Sequence, residues 1–286
     1  MIIKASARYP AEGYVATSIS TAVMTFAHAA HQRRRIAVMA GPPGIGKSKA
    51  IEVLMQTLAG TCVVAKIGGK DNSATLALQT IATQLRMLSD PASSGWVPGG
   101  RTDLRRHIFA SLCVARRVNV THARARIYPA EAFGRMTIVF DEAQSLSSNA
   151  IEVLRFLNEP DSQPIPLGLV FIGNQEFAMA PKGAGQSVLT AAVADRAAYI
   201  EEFDYDDVLD DDLILYAEAR GLTDSSALDA VVEFFGKRGA AGGIRSLRKL
   251  GQAIDEAIED VIEDDIGPDL IRQKLKQAMR LRSLLP

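Results

Sequence analysis

The sequence is poor in the residues and patterns that mark secreted, metal-binding and membrane proteins. Its 286 residues include only two cysteines, Cys62 and Cys113, far apart in apolar stretches, which favours buried thiols in a reducing compartment over a disulfide. The four histidines are not spaced as metal ligands beside other ligands, so no zinc site is predicted. No apolar run approaches the roughly 20 residues of a membrane-spanning helix. The amino terminus lacks the apolar core of a signal peptide, so we expect a cytoplasmic protein.

The sequence also lacks a strong overall charge. The formal net charge is −1, and the hydrophobic fraction of 48% is ordinary for a globular protein. A polyanionic partner would therefore have to bind a local patch of basic residues. One segment, residues 101–135, holds eight arginines against Asp103 and Glu131: Arg101, Arg105, Arg106, Arg116, Arg117, Arg124, Arg126 and Arg135. A contact with nucleic acid and a solvated helix face with a subunit contact both account for this segment.

What the sequence does contain is a glycine-rich loop between a predicted strand and a predicted helix. The pattern G-x-x-x-x-G-K-[ST] is matched by Gly41, Pro42, Pro43, Gly44, Ile45, Gly46, Lys47 and Ser48. Without a Cβ, Gly44 and Gly46 let backbone N–H groups turn towards an anion at the amino end of the helix. We expect Lys47 to bind the β- and γ-phosphates of ATP, Ser48 to bind Mg²⁺, and Lys49 to complete the nucleotide site.

A second motif follows an apolar run at residues 136–140, which predicts a buried parallel strand. Asp141 and Glu142 come directly after it, and Asn174 follows the next predicted strand. Ligands of open α/β sheets bind at the carboxyl ends of the strands. We therefore expect Asp141 to bind Mg²⁺, Glu142 to polarise the attacking water, and Asn174 to bind that water or the γ-phosphate. A phosphate-binding loop with this acidic pair indicates ATP hydrolysis, and a metabolic kinase is disfavoured.

Alternating strands and helices are predicted up to an acidic segment at residues 201–212, and only helices after it. We expect a doubly wound parallel α/β sheet in a domain of residues 1–204 and an all-helical domain of residues 205–286. The helices of the second domain are predicted at residues 213–220, 227–235, 244–262 and 270–281. Ser147, and either Asn72 or Ser73, are expected to cap helices of the first domain.

Together these motifs resemble those of the AAA+ ATPases, and the resemblance covers most of the chain. It implies a P-loop NTPase fold with sheet order 5-1-4-3-2, a helical lid, and a homo-oligomeric ring or filament. It also implies that Arg196 is the finger that completes a neighbouring subunit's site. Pairing of Arg196 with the acidic segment is the alternative.

The resemblance also assigns a lid arginine. Residues 242–245, Gly-Gly-Ile-Arg, resemble the second sensor of the lid, in which Arg245 would touch the γ-phosphate of ATP. Arg248 and Lys249 are alternatives to Arg245 for this role.

Within this family the sequence is most similar to the transposition ATPases, the Mu-type B proteins and related target-selecting regulators. The similarity lies in residues 140–144, Phe-Asp-Glu-Ala-Gln, and 170–176, Val-Phe-Ile-Gly-Asn-Gln-Glu. It implies an ATPase that binds double-stranded DNA without sequence preference and stimulates a transposase. Only 40 residues precede Gly41, so we expect no added helix-turn-helix domain. DNA contacts would come from Lys66, Lys70 and the basic residues of 101–126.

Two other hypotheses stay open. The Asp-Glu-Ala-Gln box also marks secretion-type ATPases, so the chain could act on a protein partner and be indifferent to DNA. A nucleotide-dependent switch or scaffold with negligible turnover is the third hypothesis.

Overall fold

The computed structural model describes residues 14–68, 73–90, 92, 95–115, 117, 134–159, 167–178, 189–236 and 245–259, with single positions at 269, 273, 274 and 277. The strands are β1 Ile36–Ala40, β2 Cys62–Lys66, β3 Thr137–Asp141, β4 Gly168–Gly173 and β5 Ala197–Glu202. They form one parallel sheet in the order β2-β3-β4-β1-β5. Read from the other edge, this is the predicted order 5-1-4-3-2, so the predicted P-loop NTPase sheet is confirmed.

Helices connect the strands and make up most of the described carboxy-terminal part. They are α1 Ser18–Arg33, α2 Lys47–Thr57, α3 Ala74–Ser89, α4 Arg101–Ala115, α5 Ser148–Arg155, α6 Gln175–Ala178, α7 Ala191–Arg196, α8 Asp210–Glu218, α9 Ser225–Phe235 and α10 Leu247–Glu259. The periodicity of the sequence did not predict the short helices α6 and α7. The predicted helix at 270–281 lies largely outside the described residues.

Burial explains why the central strands are almost entirely apolar. Every residue of β1, β3 and β4 is buried, as expected for parallel strands covered on both faces. The edge strand β5 instead alternates between half-buried and exposed residues. Phe140 stacks on Phe171 at 4.7 Å between ring centroids, and Phe171 stacks on Phe177. These rings belong to the hydrophobic core of the sheet.

Side chains that the sequence marked as structural lie where they were expected. Cys62 and Cys113 are buried free thiols, and burial raises the pKa of Cys62 to about 12. The Ser73 hydroxyl accepts a hydrogen bond from the backbone N–H of Leu76 at the start of α3. Ser147 caps α5 in the same way. Among the described residues, no helix combines the length and the apolar character needed to cross a membrane.

The contacts of the chain divide it into two compact units. The sheet unit comprises residues 24–41 and 54–202, and the P-loop unit comprises residues 1–23, 42–53 and 203–286. Within the P-loop unit, the buried Asp212 accepts hydrogen bonds from the backbone N–H groups of Ser18 and Leu209. This carboxylate ties the start of α1 to the start of α8. The predicted domains, 1–204 and 205–286, stay a prediction.

Candidate active site

The glycine-rich loop has the backbone that its sequence predicts. Gly44 and Gly46 adopt left-handed φ angles of +85° and +102°, which only glycine reaches at little cost. Ile45 between them is fully buried, and α2 begins at Lys47. The first turn of a helix leaves backbone N–H groups without partners in the helix, and these groups attract anions. The loop and helix therefore form a preformed anion-binding element.

The three polar side chains predicted to serve this loop differ in their surroundings. The Lys47 ammonium donates a hydrogen bond to the Pro42 carbonyl at 2.7 Å, so it lies back over its own loop. Ser48 is exposed at the start of α2. Lys49 is also exposed and forms an ion pair with Glu52 at 2.7 Å. Lys47 and Ser48 thus lie at the loop, whereas Lys49 is engaged along the surface of α2.

The beginning of α10 packs directly on the same loop, within the P-loop unit. The backbone N–H of Arg248 donates to the Gly44 carbonyl at 3.2 Å, and the Tyr205 hydroxyl donates to the Pro43 carbonyl at 3.3 Å. A Cβ on Gly44 would lie only 2.3 Å from the Ser246 Oγ. Position 44 therefore requires glycine for space as well as for backbone conformation.

Arg245, the predicted lid arginine, has its side chain engaged elsewhere. The side chain is 4% exposed and its Nη2 donates to Asp210 at 2.7 Å, while Nη1 donates to the Val208 carbonyl. Its guanidinium thus fastens the start of α10 to the start of α8. Of the two alternatives, Arg248 is exposed and Lys249 is half-buried. Of these three residues, Arg248 contacts the loop, and it does so through its backbone N–H.

The carboxyl edge of the sheet carries the acidic pair. Asp141 ends β3, is 8% exposed, and is in register with Lys66 of β2 and Ile172 of β4. Its Oδ1 accepts a hydrogen bond from the Glu142 N–H at 3.0 Å. Glu142 is exposed and adopts a left-handed backbone with φ of +60°. Left-handed residues other than glycine are uncommon in proteins, and those that occur are concentrated at functional sites.

Asn174 follows β4 and is linked to Glu142 by the side chain of Gln144. The sequence patterns did not predict this role for Gln144. The Asn174 N–H donates to the Gln144 Oε1 at 3.0 Å, and the Gln144 Nε2 donates to the Glu142 carboxylate. Gln144 is the last residue of the Asp-Glu-Ala-Gln box. The Oδ1 of Asn174 is buried and has no hydrogen-bond partner among the described residues. Such a buried acceptor fits a ligand that donates a hydrogen bond, such as a water molecule.

Arg196, the predicted finger, ends α7 in the sheet unit. Its side chain is 49% exposed, and its Nε lies 3.5 Å from the Glu159 Oε1. Glu159 also forms an ion pair with Arg155, which is 9% exposed. The partner of Arg196 is therefore the glutamate that follows α5 and not the acidic segment at 201–212.

The basic residues around α4 divide into a half-buried one, Arg105, and exposed ones. Arg105 donates to the Val153 carbonyl at 3.1 Å and lies over the Phe156 ring; burial, and secondly Arg101, lower the pKa of Arg105. Arg101 and Arg106 are exposed, and so are Arg117, Arg135 and Lys66. The other basic candidates lie outside the described residues: Lys70, Arg116, Arg124 and Arg126.

Comparison with solved structures finds similar chains at low sequence identity, and the first two named here share this fold. Cdc6p from Pyrobaculum aerophilum is 17% identical with a TM-score of 0.58, over 98% of this chain and 72% of that one. The Walker-type ATPase of Pyrococcus abyssi is 14% identical with a TM-score of 0.55, over 92% and 72%. The RuvB Holliday junction branch migration motor of Thermotoga maritima is 16% identical with a TM-score of 0.48, over 91% and 68%.

The sequence itself matches a family, although no curated protein matches it. The profile described as an AAA domain matches residues 30–180. This span contains the glycine-rich loop, the acidic pair and Asn174, and it exceeds half of the 286 residues. The chain therefore belongs to the AAA domain family, whose members have the P-loop ATPase fold seen here.

Proposed function

We propose that this protein binds ATP with Mg²⁺ and hydrolyses it. The observation that carries the proposal is the cluster at the carboxyl edge of the sheet, where Asp141 ends β3, Glu142 follows it, and Asn174 follows the neighbouring strand β4. Strand β1 pairs with β4, and Gly41 donates a hydrogen bond to the Gly173 carbonyl at 3.2 Å. Gly41, the first residue of the motif and part of the sheet unit, therefore lies beside Gly173, the last residue of β4, which Asn174 follows.

Each of these residues has a distinct part in the proposed reaction. The N–H groups of the loop and the Lys47 ammonium bind the phosphates. Ser48 and Asp141 would hold Mg²⁺ through the hydroxyl and carboxylate oxygens that this ion prefers, and the ion would neutralise phosphate charge. Glu142 accepts a proton from the attacking water, and the Asn174 Oδ1 accepts a hydrogen bond from the same water. Arg196 of a neighbouring subunit is proposed to stabilise negative charge on the γ-phosphate.

Replacing Glu142 by Gln tests this proposal. The amide cannot accept the proton, so we expect hydrolysis to fall by about 10²–10³-fold, with ATP affinity within about twofold of wild type because the phosphate contacts are kept. Steady-state phosphate release and equilibrium binding of ATP measure the two effects. Glu218→Gln, a change at an exposed residue of α8, is the matched control. Wild-type turnover by Glu142→Gln would refute the role of Glu142, and ATP binding without turnover by the wild type would favour a switch or scaffold.

We also propose that the ATP-loaded protein binds double-stranded DNA and directs a transposase. The motif similarity motivates this role, and the exposed Arg101 and Arg106 of α4 support it as a phosphate-contacting surface. The alternative is an ATPase that acts on a protein partner. It is favoured by the ion pair that Arg106 makes with Asp103 at 3.6 Å, because this pair weakens the attraction of α4 for phosphates.

DNA binding with ATP across a salt series separates the two roles. The double change Arg101→Gln with Arg106→Gln should weaken binding and lower the slope of log affinity against log salt by about one per lost phosphate contact. The matched control is Arg33→Gln with Arg35→Gln, exposed arginines before β1. No DNA binding with ATP at low salt would end the DNA proposal and favour the protein partner. Equal loss in the control pair would show that overall charge, and not α4, attracts the DNA.

A further inference from the structure

Gln144 connects two motifs that the sequence presents separately. It lies in the short helical turn Ala143–Ser145 that follows β3, whereas Asn174 follows β4. Its Oε1 accepts the Asn174 N–H at 3.0 Å, and its Nε2 donates to the Glu142 carboxylate. Among the described residues, Gln144 is the side chain that hydrogen-bonds the Glu142 carboxylate.

The chemistry of the partners fixes the orientation of the Gln144 amide. A backbone N–H such as that of Asn174 only donates hydrogen bonds, so the atom facing it must be the amide oxygen. The amide nitrogen then necessarily faces Glu142, whose ionised carboxylate only accepts hydrogen bonds. Both halves of the amide are therefore used, and neither flipping the amide nor shortening the side chain preserves both bonds.

The absence of a side chain at Gly173 leaves space for the Gln144 amide. A Cβ on Gly173 would lie 3.0 Å from the Gln144 Oε1 and 2.8 Å from the Phe177 Cβ, so a larger residue at 173 would press on the amide. Glu142 is held in a left-handed backbone with φ of +60°, a conformation that is strained for a residue with a Cβ. The strained backbone and the bridged side chain together restrict the direction of the Glu142 carboxylate.

We propose that Gln144 is a positioning residue for ATP hydrolysis. It holds the carboxylate of the general base Glu142 and ties that carboxylate to the backbone of Asn174, the residue proposed to bind the same water. This inference rests on the proposed function, because it concerns the alignment of two groups on one attacking water. Alignment changes the rate of the chemical step and leaves the phosphate contacts, and hence ATP affinity, in place.

The isosteric change Gln144→Glu separates positioning from a structural role. One carboxylate oxygen still accepts the Asn174 N–H, but the other faces Glu142 as a like charge and displaces it. We expect kcat to fall about tenfold or more, with ATP affinity and the nucleotide-free melting temperature close to wild type. Gln144→Ala should lower kcat to a similar extent. Gln56→Glu, the same change at an exposed glutamine of α2, should leave kcat unchanged.

Each outcome decides between the explanations. Wild-type kcat in Gln144→Glu, with a loss only in Gln144→Ala, would show that Gln144 merely satisfies the Asn174 N–H and would overturn the inference. Equal losses of kcat, ATP affinity and melting temperature in Gln144→Glu would also overturn it. Adding Gln144→Glu to Glu142→Gln should cause no further loss, because both act through one carboxylate. If the wild type does not hydrolyse ATP, the proposed function fails. If hydrolysis depends on Glu142 but not on Gln144, only this inference fails.

Discussion

Gly44 and Gly60 both have left-handed backbones, with φ of +85° and +73°, but their surroundings differ. A Cβ on Gly44 would meet the Ser246 Oγ at 2.3 Å and the Arg248 Cβ at 3.2 Å, whereas a Cβ on Gly60 would meet nothing within 4 Å. The first glycine is therefore constrained by conformation and by space, and the second by conformation alone.

This difference predicts unequal costs for the same substitution. Gly60→Ala should lower the free energy of unfolding by about 1–2 kcal/mol through backbone strain. Gly44→Ala should lower the free energy of unfolding by about 1–3 kcal/mol more than Gly60→Ala does, because the turn that begins α10 must move away from the added methyl group. Denaturant unfolding of the two variants without nucleotide measures both. Equal losses would show that Ser246 and Arg248 do not crowd the loop in solution.

At the scale of elements, a charged cluster joins α5 to α7 within the sheet unit. The Arg155 side chain is 9% exposed, and its Nε lies 3.0 Å from the Glu152 Oε2. Glu152 also accepts a hydrogen bond from Thr190, the residue that caps α7. Burial on its own would raise the pKa of Glu152, but the bonds from Thr190 and Arg155 outweigh it and lower the pKa below 4.5.

The depressed pKa predicts how stability depends on pH. The folded protein binds a proton at Glu152 less readily than the unfolded chain, so Glu152 contributes stability above pH 4.5, and the contribution is lost as the pH falls through the lowered pKa. Glu152→Gln should be about 1–2 kcal/mol less stable at pH 7 and should lose less stability than wild type on acidification. Urea unfolding at a series of pH values measures this.

The control for this prediction is Glu256→Gln, at an exposed residue of α10, which should follow the wild-type curve. A Glu152→Gln curve parallel to that of wild type at all pH values would contradict a role for this carboxylate in acid unfolding.

At the scale of the whole molecule, the resemblance to AAA+ proteins implies an oligomer in which Arg196 acts on a neighbouring subunit. The described structure holds Arg196 close to Glu159 of its own chain at 3.5 Å, and its side chain is half exposed. An ion pair whose arginine is half exposed to water, at this separation, contributes about 1 kcal/mol or less. The arginine can therefore exchange this partner for a phosphate at low cost.

Mixing two inactive variants tests action between subunits. Lys47→Ala should abolish ATP binding at its own site and keep Arg196, whereas Arg196→Ala should bind ATP and lack the finger. A mixture should regain part of the activity, because some interfaces then join an intact loop to an intact arginine. The measurement is the ATPase rate against mixing ratio, with each variant alone as the baseline. No recovery, in mixtures shown by light scattering to assemble, would contradict action between subunits.

The sequence by itself determined the strands, the longer helices and the loop. Short apolar runs marked the five strands. Ser147, and either Asn72 or Ser73, marked helix starts, and two glycines with Lys47 and Ser48 marked the anion-binding turn. These features depend on residues close together along the chain, so pattern and spacing suffice to identify them. The order of the strands came from the resemblance, since spacing alone does not specify it.

Only the tertiary structure decided which polar side chains meet. In the folded chain, Gln144 hydrogen-bonds Asn174, 30 residues away, and Arg245 hydrogen-bonds Asp210, 35 residues away. Arg105 donates a hydrogen bond to the Val153 carbonyl. A sequence shows that Arg245 is charged but not whether its guanidinium faces a phosphate or a carboxylate. That choice depends on which segments the packing of strands and helices brings within about 3 Å, the length of a hydrogen bond.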